Sequence, residues 1–490
     1  MRSDLVYLIH DQCAGVSAYA QEEADKAHRN ASFVAVGALV PLSYGKLGRG
    51  WLHAAELKKL AKDLVKNTSD TRALELFWKQ HRQDDADKRG RPSSSSAQSS
   101  LPAGLKRKRG VSDATTGLKL DAGGVTDHPA LYMPALLDNF GPLLFPLYRA
   151  ALLRKRILLL GSPPVQRNCS AVYILSVLSG IPQPVSEALQ QDTEHLLRSQ
   201  PLFSVGIADI PALSAQDGKS GWLATTTDDI LGEKHQLWDL LVEMAQGEAG
   251  SKRRWPKIRT SDGKVVKATQ RDLRRYRLLR SELKRMRLTR KRYRDSEDHD
   301  SGDHEGEEAP LIHSTTVLKQ PAEPDDSQTG EDEVVEPVSW TAMAYDGFMW
   351  WASAGEKDAL EKEEDDADRQ LLADLPDIQE AIESSVDSHE ERDKLFEAQE
   401  TATVLTAYFH RLTGLVVQTL ADIVAEADDE TEEGVEEDAI EVSAEDLRKM
   451  GLDGWSALDK LFVKEAMRLY FGREAKLAEN GVKMCGVRIC

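Results

Sequence analysis

A chain of 490 residues, 41% hydrophobic and 30% charged, is long enough for two or three domains with buried cores and polar enough for unstructured connections. Four cysteines exclude a disulfide scaffold, and Cys485 and Cys490 have no second Cys/His pair to complete a zinc site, so a reducing, intracellular compartment is expected. The net charge of −19 conceals a separation: residues 251–294 carry 19 Lys/Arg against Asp262, Asp272 and Glu282, a local +16, while the remaining 44 Lys/Arg face 79 Asp/Glu, a net of −35.

Residues 1–83 read as a small mixed α/β unit. "DLVYLIH" and "FVAVGALVPL" have strand composition, and "HAAELKKLAKDLVKN" has helical spacing through Leu57, Leu60, Ala61 and Leu64. The first residues lack the basic n-region of a signal peptide, and no apolar run approaches the roughly 20 residues that span a bilayer. A chain that opens almost inside a strand is expected to lack the first strand of this unit. Residues 84–127, Ser-, Pro- and charge-rich, are expected to be a disordered linker. The "KRKR" at 106–109 has the form of a nuclear import signal, but short basic clusters are common in such linkers and that plain reading comes first.

Residues 128–250 are the densest apolar region and predict a central α/β lobe. "PALLDNFGPLLFPLYRAALL" predicts a helix pair broken at Pro142 and Pro146. A strand over 156–160, a proline turn and a helix over 166–179 follow. "PLFSVGIADI" and "GWLATTTDDIL" each carry a strand, and "KHQLWDLLVEMA" is expected to close the unit as a helix. The wholly apolar "ILLL" reads as a strand buried on both faces.

Residues 251–294 predict a basic helix or linker with a narrow apolar stripe of Leu279, Leu283 and Met286. Residues 295–337 predict an acidic disordered linker. Structure is expected to resume at "SWTAMAYDGFMWWASAGE", opening a helical C-terminal region over 338–490. Helical patterns run over 393–426 and 443–478, with an acidic loop at 427–438 between them. Ser443 to Asp446 is similar to a capping box, and Leu458, Leu461, Phe462, Ala466, Leu469 and Tyr470 predict one apolar face.

Bond-making chemistry is hard to find. "LLLGSPPVQRN" has the strand–turn–helix order of a phosphate cradle, but it offers one glycine and two prolines that have no N–H to donate. "DGKSG" at 217–221 ends like a Walker A loop, yet Leu213 stands where the earlier glycine is required. "YGKLGRG" at 44–50 lacks a dinucleotide fingerprint. Serine-hydrolase, zinc-protease and kinase signatures are absent. His299, His304 and His313 lie in the acidic tract and read as solvated. Asp228 and Asp229 read as the start of a turn or helix. No catalytic, metal-binding or cofactor-binding residue is expected.

The basic segment is the strongest raw signal. It reads first as a solvated helix or linker neutralised by the acidic tract that immediately follows it. It reads next as a patch for an anionic membrane surface, formed by Arg271, Arg274, Arg275, Arg277, Arg280, Lys284, Arg285, Arg287 and Arg290. Nucleic acid comes last, because Trp255, Tyr276 and Tyr293 interleave the charges too thinly for single-strand stacking.

Across "HPALYMPALLDNFGPLLFPLYRAALLRKRILLLGSPPV", "PLFSVGIADI" and "GWLATTTDDIL" the chain resembles the DENN-domain superfamily, most of all its LCHN-type members and their fungal relatives. Residues 3–83 resemble the upstream longin-like half, and "SWTAMAYDGFMWWASAGE" the C-terminal region of the fungal members. The resemblance implies an α/β fold with a longin-like N-terminal lobe, a central DENN lobe and a helical C-terminal region. It also implies a guanine nucleotide exchange factor, or GTPase-binding regulator, for a Rab-type small GTPase in membrane traffic. Such a protein is cytoplasmic, peripheral on membranes and free of cofactors. The family has no compact catalytic motif, so no catalytic residue is carried over. The alternative is a non-catalytic scaffold or nucleic-acid-binding protein acting through residues 251–294.

Overall fold

The computed structural model describes residues 2–23, 31–42, 46–82, 127–189, 194–215, 221–245, 255–297, 331–337, 356–373, 390–431, 439–477, 482–484 and 487–489. Three antiparallel strands open the chain: β1 (Arg2–His10), β2 (Cys13–Glu23) and β3 (Ala31–Pro41). Asp11 and Gln12 turn the first hairpin, both with positive φ, as two-residue hairpin turns require. Side chains alternate across the strands, so Leu5, Tyr7, Val16, Ala18, Ala20 and Val36 share a buried face. Helix α1 (Ala54–Lys66) covers that face with Leu57, Leu60, Ala61 and Leu64, the residues whose spacing predicted it. Helix α2 (Arg72–His81) follows and buries Phe77.

The central lobe begins with α3 (Met133–Phe140) and α4 (Leu144–Leu152). The break falls at Gly141 and Pro142 only; Gly141 adopts φ +53°. Pro146 lies in the first turn of α4, where a proline forfeits no helical hydrogen bond, so the expected second break does not occur. Strand β4 (Ile157–Leu160), helix α5 (Val165–Leu178), and strands β5 (Gln200–Ser204) and β6 (Trp222–Thr226) match the sequence reading closely. The expected closing helix is instead strand β7 (Leu240–Glu243), paired in parallel with β4. A short apolar run has no period that distinguishes a strand from a buried helix, and pairing decides it. Strands β8 (Lys257–Thr260) and β9 (Val265–Val266) carry the sheet past residue 250.

All nine strands form one mixed sheet, ordered β3-β2-β1-β5-β6-β4-β7-β8-β9. The seam between the N-terminal hairpin and the central strands is a single antiparallel pair, Leu8 with Phe203. Within β4, Ile157 and Leu159 face the main core, while Leu158 faces a second cluster around Trp222 and Trp238. Both faces are buried, which is why the strand is apolar throughout.

Helix α6 (Gln270–Glu297) is the predicted basic helix, and Leu279 and Leu283 are buried on it as expected. The C-terminal region contributes α7 (Glu356–Gln370), α8 (Glu390–Thr431), α9 (Ala444–Lys449) and α10 (Ala457–Phe471). Strands β10 (Ile440–Val442) and β11 (Ala475–Leu477) pair in parallel. The Ser443–Asp446 capping box forms at the start of α9. On α10 the predicted face is only partly right: Phe462, Ala466 and Tyr470 are buried, but Leu461 is exposed and Asp459, Val463 and Met467 are buried instead. Residues 427–431, expected as acidic loop, continue α8. Val335, inside the expected acidic linker, is buried and bridges to Ala268.

The helices share the central core. Phe409 on α8 packs its ring 5.5 Å from Phe145 and 5.0 Å from Tyr148 on α4, and Tyr148 Oη lies 2.6 Å from Thr413 Oγ1. The sequence features at 84–126, 298–330, 338–355 and 432–438, including "KRKR" and the tryptophan-rich segment, lie outside the described residues. Among the described residues no helix is long and apolar enough to cross a membrane.

Candidate functional site

In an open α/β sheet the carboxyl ends of the parallel strands are where partners and ligands are met. Here that rim is formed by the chain leaving β4, β5 and β6. Beyond β4 come Gly161 and the exposed Ser162, Pro163 and Pro164, with a cis bond between the prolines. Beyond β5 is a short turn in which the Asp209 carboxylate accepts from the Gly206 amide at 2.8 Å, leaving Ile207 51% exposed. Beyond β6 the Thr226 hydroxyl accepts from the Asp228 amide at 3.1 Å, leaving Ile230 50% exposed. These last two turns adjoin: a Cβ at Gly206 would stand 3.5 Å from Asp228 Oδ2. Two exposed isoleucines flanked by Asp209, Asp228 and Asp229 make an apolar rim with acidic edges.

The N-terminal hairpin reaches the same rim. Helix α5 has no side-chain cap of its own, since Pro164 precedes it. Asp4 of β1 supplies one: its Oδ2 accepts from the Val165 amide at 2.6 Å and its Oδ1 from the Gln166 amide at 3.1 Å. A helix N-terminus attracts an anion. In this loop the anion is a carboxylate from the chain itself, so the strand–turn–helix pattern serves as a clamp between two parts of the fold. Trp51 strengthens the join, edge-on to His128 at 4.8 Å and to Tyr173 at 5.6 Å. Burial pushes the His128 imidazole down to about 4, so it is neutral in this cluster. Neither the Asp4 clamp nor the two isoleucines carries a sequence signal, because the contacts join residues far apart in the chain.

The basic helix spends much of its charge inside the protein. Arg149 of α4 forms a bidentate pair with Asp272, Nη1 to Oδ1 at 2.8 Å and Nη2 to Oδ2 at 2.7 Å, and its Nε lies 3.2 Å from Asp459 Oδ1. Arg275 donates to both oxygens of Asp368, at 3.0 and 2.7 Å, and Arg271 donates to Leu452 O at 3.2 Å. Arg274 pairs with Glu364, and Arg287 with Glu397. Arg290 pairs with Glu400 at 3.2 Å and lies over the Phe396 ring. Arg285 pairs with Glu282 on its own helix.

Of the candidate membrane patch, Arg271 and Arg275 are therefore corrected: both are buried, because they flank the apolar stripe on the side that meets α7. Arg277, Lys284, Arg285 and Arg287 are exposed, and Arg274, Arg280 and Arg290 half-buried. Among the described residues the neutralising acids come from α7, α8 and α6 itself, and the acidic tract from residue 298 onward lies outside the described residues.

The Asp272–Arg149–Asp459 cluster sets two carboxylates around one guanidinium. Burial opposes the charge on Asp272, yet Arg149 holds its carboxyl below the usual range. Burial and the neighbouring Asp272 push Asp459 up to about 6 against the pull of Arg149. Burial raises the Cys169 thiol to about 12, so it is no nucleophile at neutral pH. Among the described residues no His/Cys/Asp/Glu group could hold a metal ion. Residues 217–220 of "DGKSG", Cys485, Cys490, His299, His304 and His313 lie outside the described residues.

Residues 1–253 match the family model described as DENN domain-containing protein 11, as the sequence resemblance implied. Residues 335–439 and 430–490 match one described as a domain of unknown function. The chain is similar to Uncharacterized protein ANR2 of Saccharomyces cerevisiae, 26% identical over 356 residues covering 72% of this chain and 57% of that protein. To DENN domain-containing protein 11 of Xenopus laevis it is 37% identical over 116 residues, 24% of this chain and 25% of that protein. To an uncharacterized protein of Schizosaccharomyces pombe it is 33% identical over 142 residues, 29% of this chain and 31% of that protein. The chain thus spans less than two thirds of the length of each of these relatives. No solved structure matches it.

Proposed function

We propose, because this chain belongs to the DENN domain-containing protein 11 family, that it is a guanine nucleotide exchange factor or GTPase-binding regulator for a Rab-type small GTPase in membrane traffic. The GTPase docks on the rim at the carboxyl ends of β4, β5 and β6, with Ile207 and Ile230 as its apolar anchors. The observation that carries this reading is the Asp4 clamp, which holds the N-terminal hairpin to the α5 end of that rim. A partner then meets both lobes as one surface. A stable interface buries about 1,200–2,000 Å² in total, more than two turns supply, so both lobes are needed.

Exchange requires no acid, base or metal from this chain. Its surface binds the nucleotide-free GTPase more tightly than the loaded one, and that difference in affinity shifts the population toward release. The exposed Arg277 and Lys284, with Arg285 and Arg287 beside their glutamate partners, turn basic side chains toward an anionic membrane, where a membrane-anchored GTPase is met. The test is capture of Rab-type GTPases by the full chain, each offered nucleotide-free, GDP-loaded and GTP-loaded. One or a few should be retained, and preferentially when nucleotide-free. Equal retention of all three forms, or of none, overturns the proposal.

A further inference from the structure

Pro163 is the only one of the nineteen prolines in these 490 residues to follow a serine or threonine. A proline directly after the acceptor hydroxyl, with its fixed φ and missing N–H, is what proline-directed protein kinases read. This single Ser-Pro step falls in the turn between β4 and α5, on the rim, where Ser162, Pro163 and Pro164 are all exposed. The backbone on either side is held. The Gly161 amide donates to Thr226 O at 3.1 Å, and the amides of Val165 and Gln166 donate to Asp4. The acceptor therefore stands on a short exposed arch between two anchored ends, and a kinase need unwind no helix or strand to reach it.

The same anchors set what a phosphate does there. Phosphoserine brings a charge of about −1.5 to −2 at neutral pH, with strong acceptor oxygens. A helix N-terminus ordinarily stabilises such an anion, but the first amides of α5 are already taken by the Asp4 carboxylate. The turns beyond β5 and β6 add Asp209, Asp228 and Asp229, and the bond from Gly161 to Thr226 sets the arch beside the second of these turns. Arg167, exposed in the first turn of α5, is one cation among these carboxylates. The new charge thus adds to an acidic edge, and it must be desolvated when a partner covers Ile207 and Ile230.

We propose that Ser162 is the acceptor of a proline-directed protein kinase, and that its phosphate closes the rim to the partner that docks there. The closing role rests on the docking reading above; the modification does not. In the transfer, Ser162 Oγ attacks the γ-phosphorus of ATP, and a new P–O bond forms as the bond to the β-phosphate oxygen breaks. ADP leaves with that electron pair, and the hydroxyl proton passes to the kinase's own base.

The test treats the full chain with ATP and, separately, a cyclin-dependent and a mitogen-activated protein kinase, with thermal unfolding as the folding control. Mass spectrometry should find one phosphate per chain, on Ser162, and no added mass in Ser162→Ala. The phosphorylated chain should capture the nucleotide-free GTPase about tenfold or more weakly than the untreated chain. Kinase treatment should leave capture by Ser162→Ala at that variant's own untreated level. A folded chain that gains no phosphate at Ser162 from either kinase overturns the proposal. Capture that is equal before and after phosphorylation of Ser162 overturns the closing role. An untreated chain that captures no GTPase overturns the docking reading and the closing role with it, while the mass still decides the modification.

Discussion

The Asp4 carboxylate accepts from the Val165 amide at 2.6 Å across 161 residues of sequence, fastening the first strand to the start of α5. It does for this helix what a cap residue does locally. Asp4→Ala should cost about 0.5–2 kcal/mol, the range for losing an N-cap, read as a lowered midpoint in urea unfolding. Asp4→Asn, which keeps an acceptor oxygen, should cost less. An unchanged midpoint in Asp4→Ala would show that the clamp contributes nothing to stability.

The buried arginine network should respond quite differently from the exposed part of the same helix. Asp272→Ala removes the bidentate partner of the Arg149 guanidinium and leaves only Asp459 beside it, and removing one partner of a buried pair costs roughly 3–5 kcal/mol. Lys284→Gln, on the exposed face, should change stability by less than about 0.5 kcal/mol. Equal effects would mean that the buried pairs carry no more weight than surface charge.

Asp459 makes stability depend on pH with a definite sign. Its folded carboxyl, at about 6, lies above its ordinary value of 3.8, so the folded state holds the proton more tightly. Its contribution is fully present below about 3.8 and is lost as pH rises through about 6, by up to about 3 kcal/mol. Asp272, held low, contributes in the opposite sense, losing stability as pH falls below its ordinary range. Asp459→Asn should remove the decline between pH 4 and 6, seen as the wild type minus variant difference in unfolding free energy. A difference that is flat over that window would refute the assignment.

Much of the fold was legible because local pattern and tertiary environment agree. Leu57, Leu60, Ala61 and Leu64 marked α1 by their spacing, and Ser443 with Asp446 marked the start of α9. The misreadings fall where local pattern is silent. Leu240 to Val242 is too short and too apolar to show a period, and only pairing with β4 makes it a strand. Asp459 breaks the apolar face of α10, yet it is buried, because Arg149 arrives from another helix to meet it. The rim was invisible for the same reason: strand order sets the turn of Ile207 beside that of Ile230, and Asp4 against the start of α5, which spacing along one chain does not encode.

The rim makes its own prediction. Ile207→Asp and Ile230→Asp together should weaken capture of the nucleotide-free GTPase by about tenfold or more, as truncating interface anchors does, with the unfolding midpoint unchanged. Undiminished capture would move the docking surface elsewhere on the protein.

The most direct measurement is the rate of GDP release from a panel of Rab-type GTPases, each loaded with fluorescent GDP and mixed with the full chain. One or a few should release GDP faster in proportion to the amount of protein added, and Ile207→Asp with Ile230→Asp should abolish the acceleration. Release at the intrinsic rate across the whole panel, at protein concentrations that saturate binding, would contradict exchange activity and leave a GTPase-binding scaffold on a DENN fold.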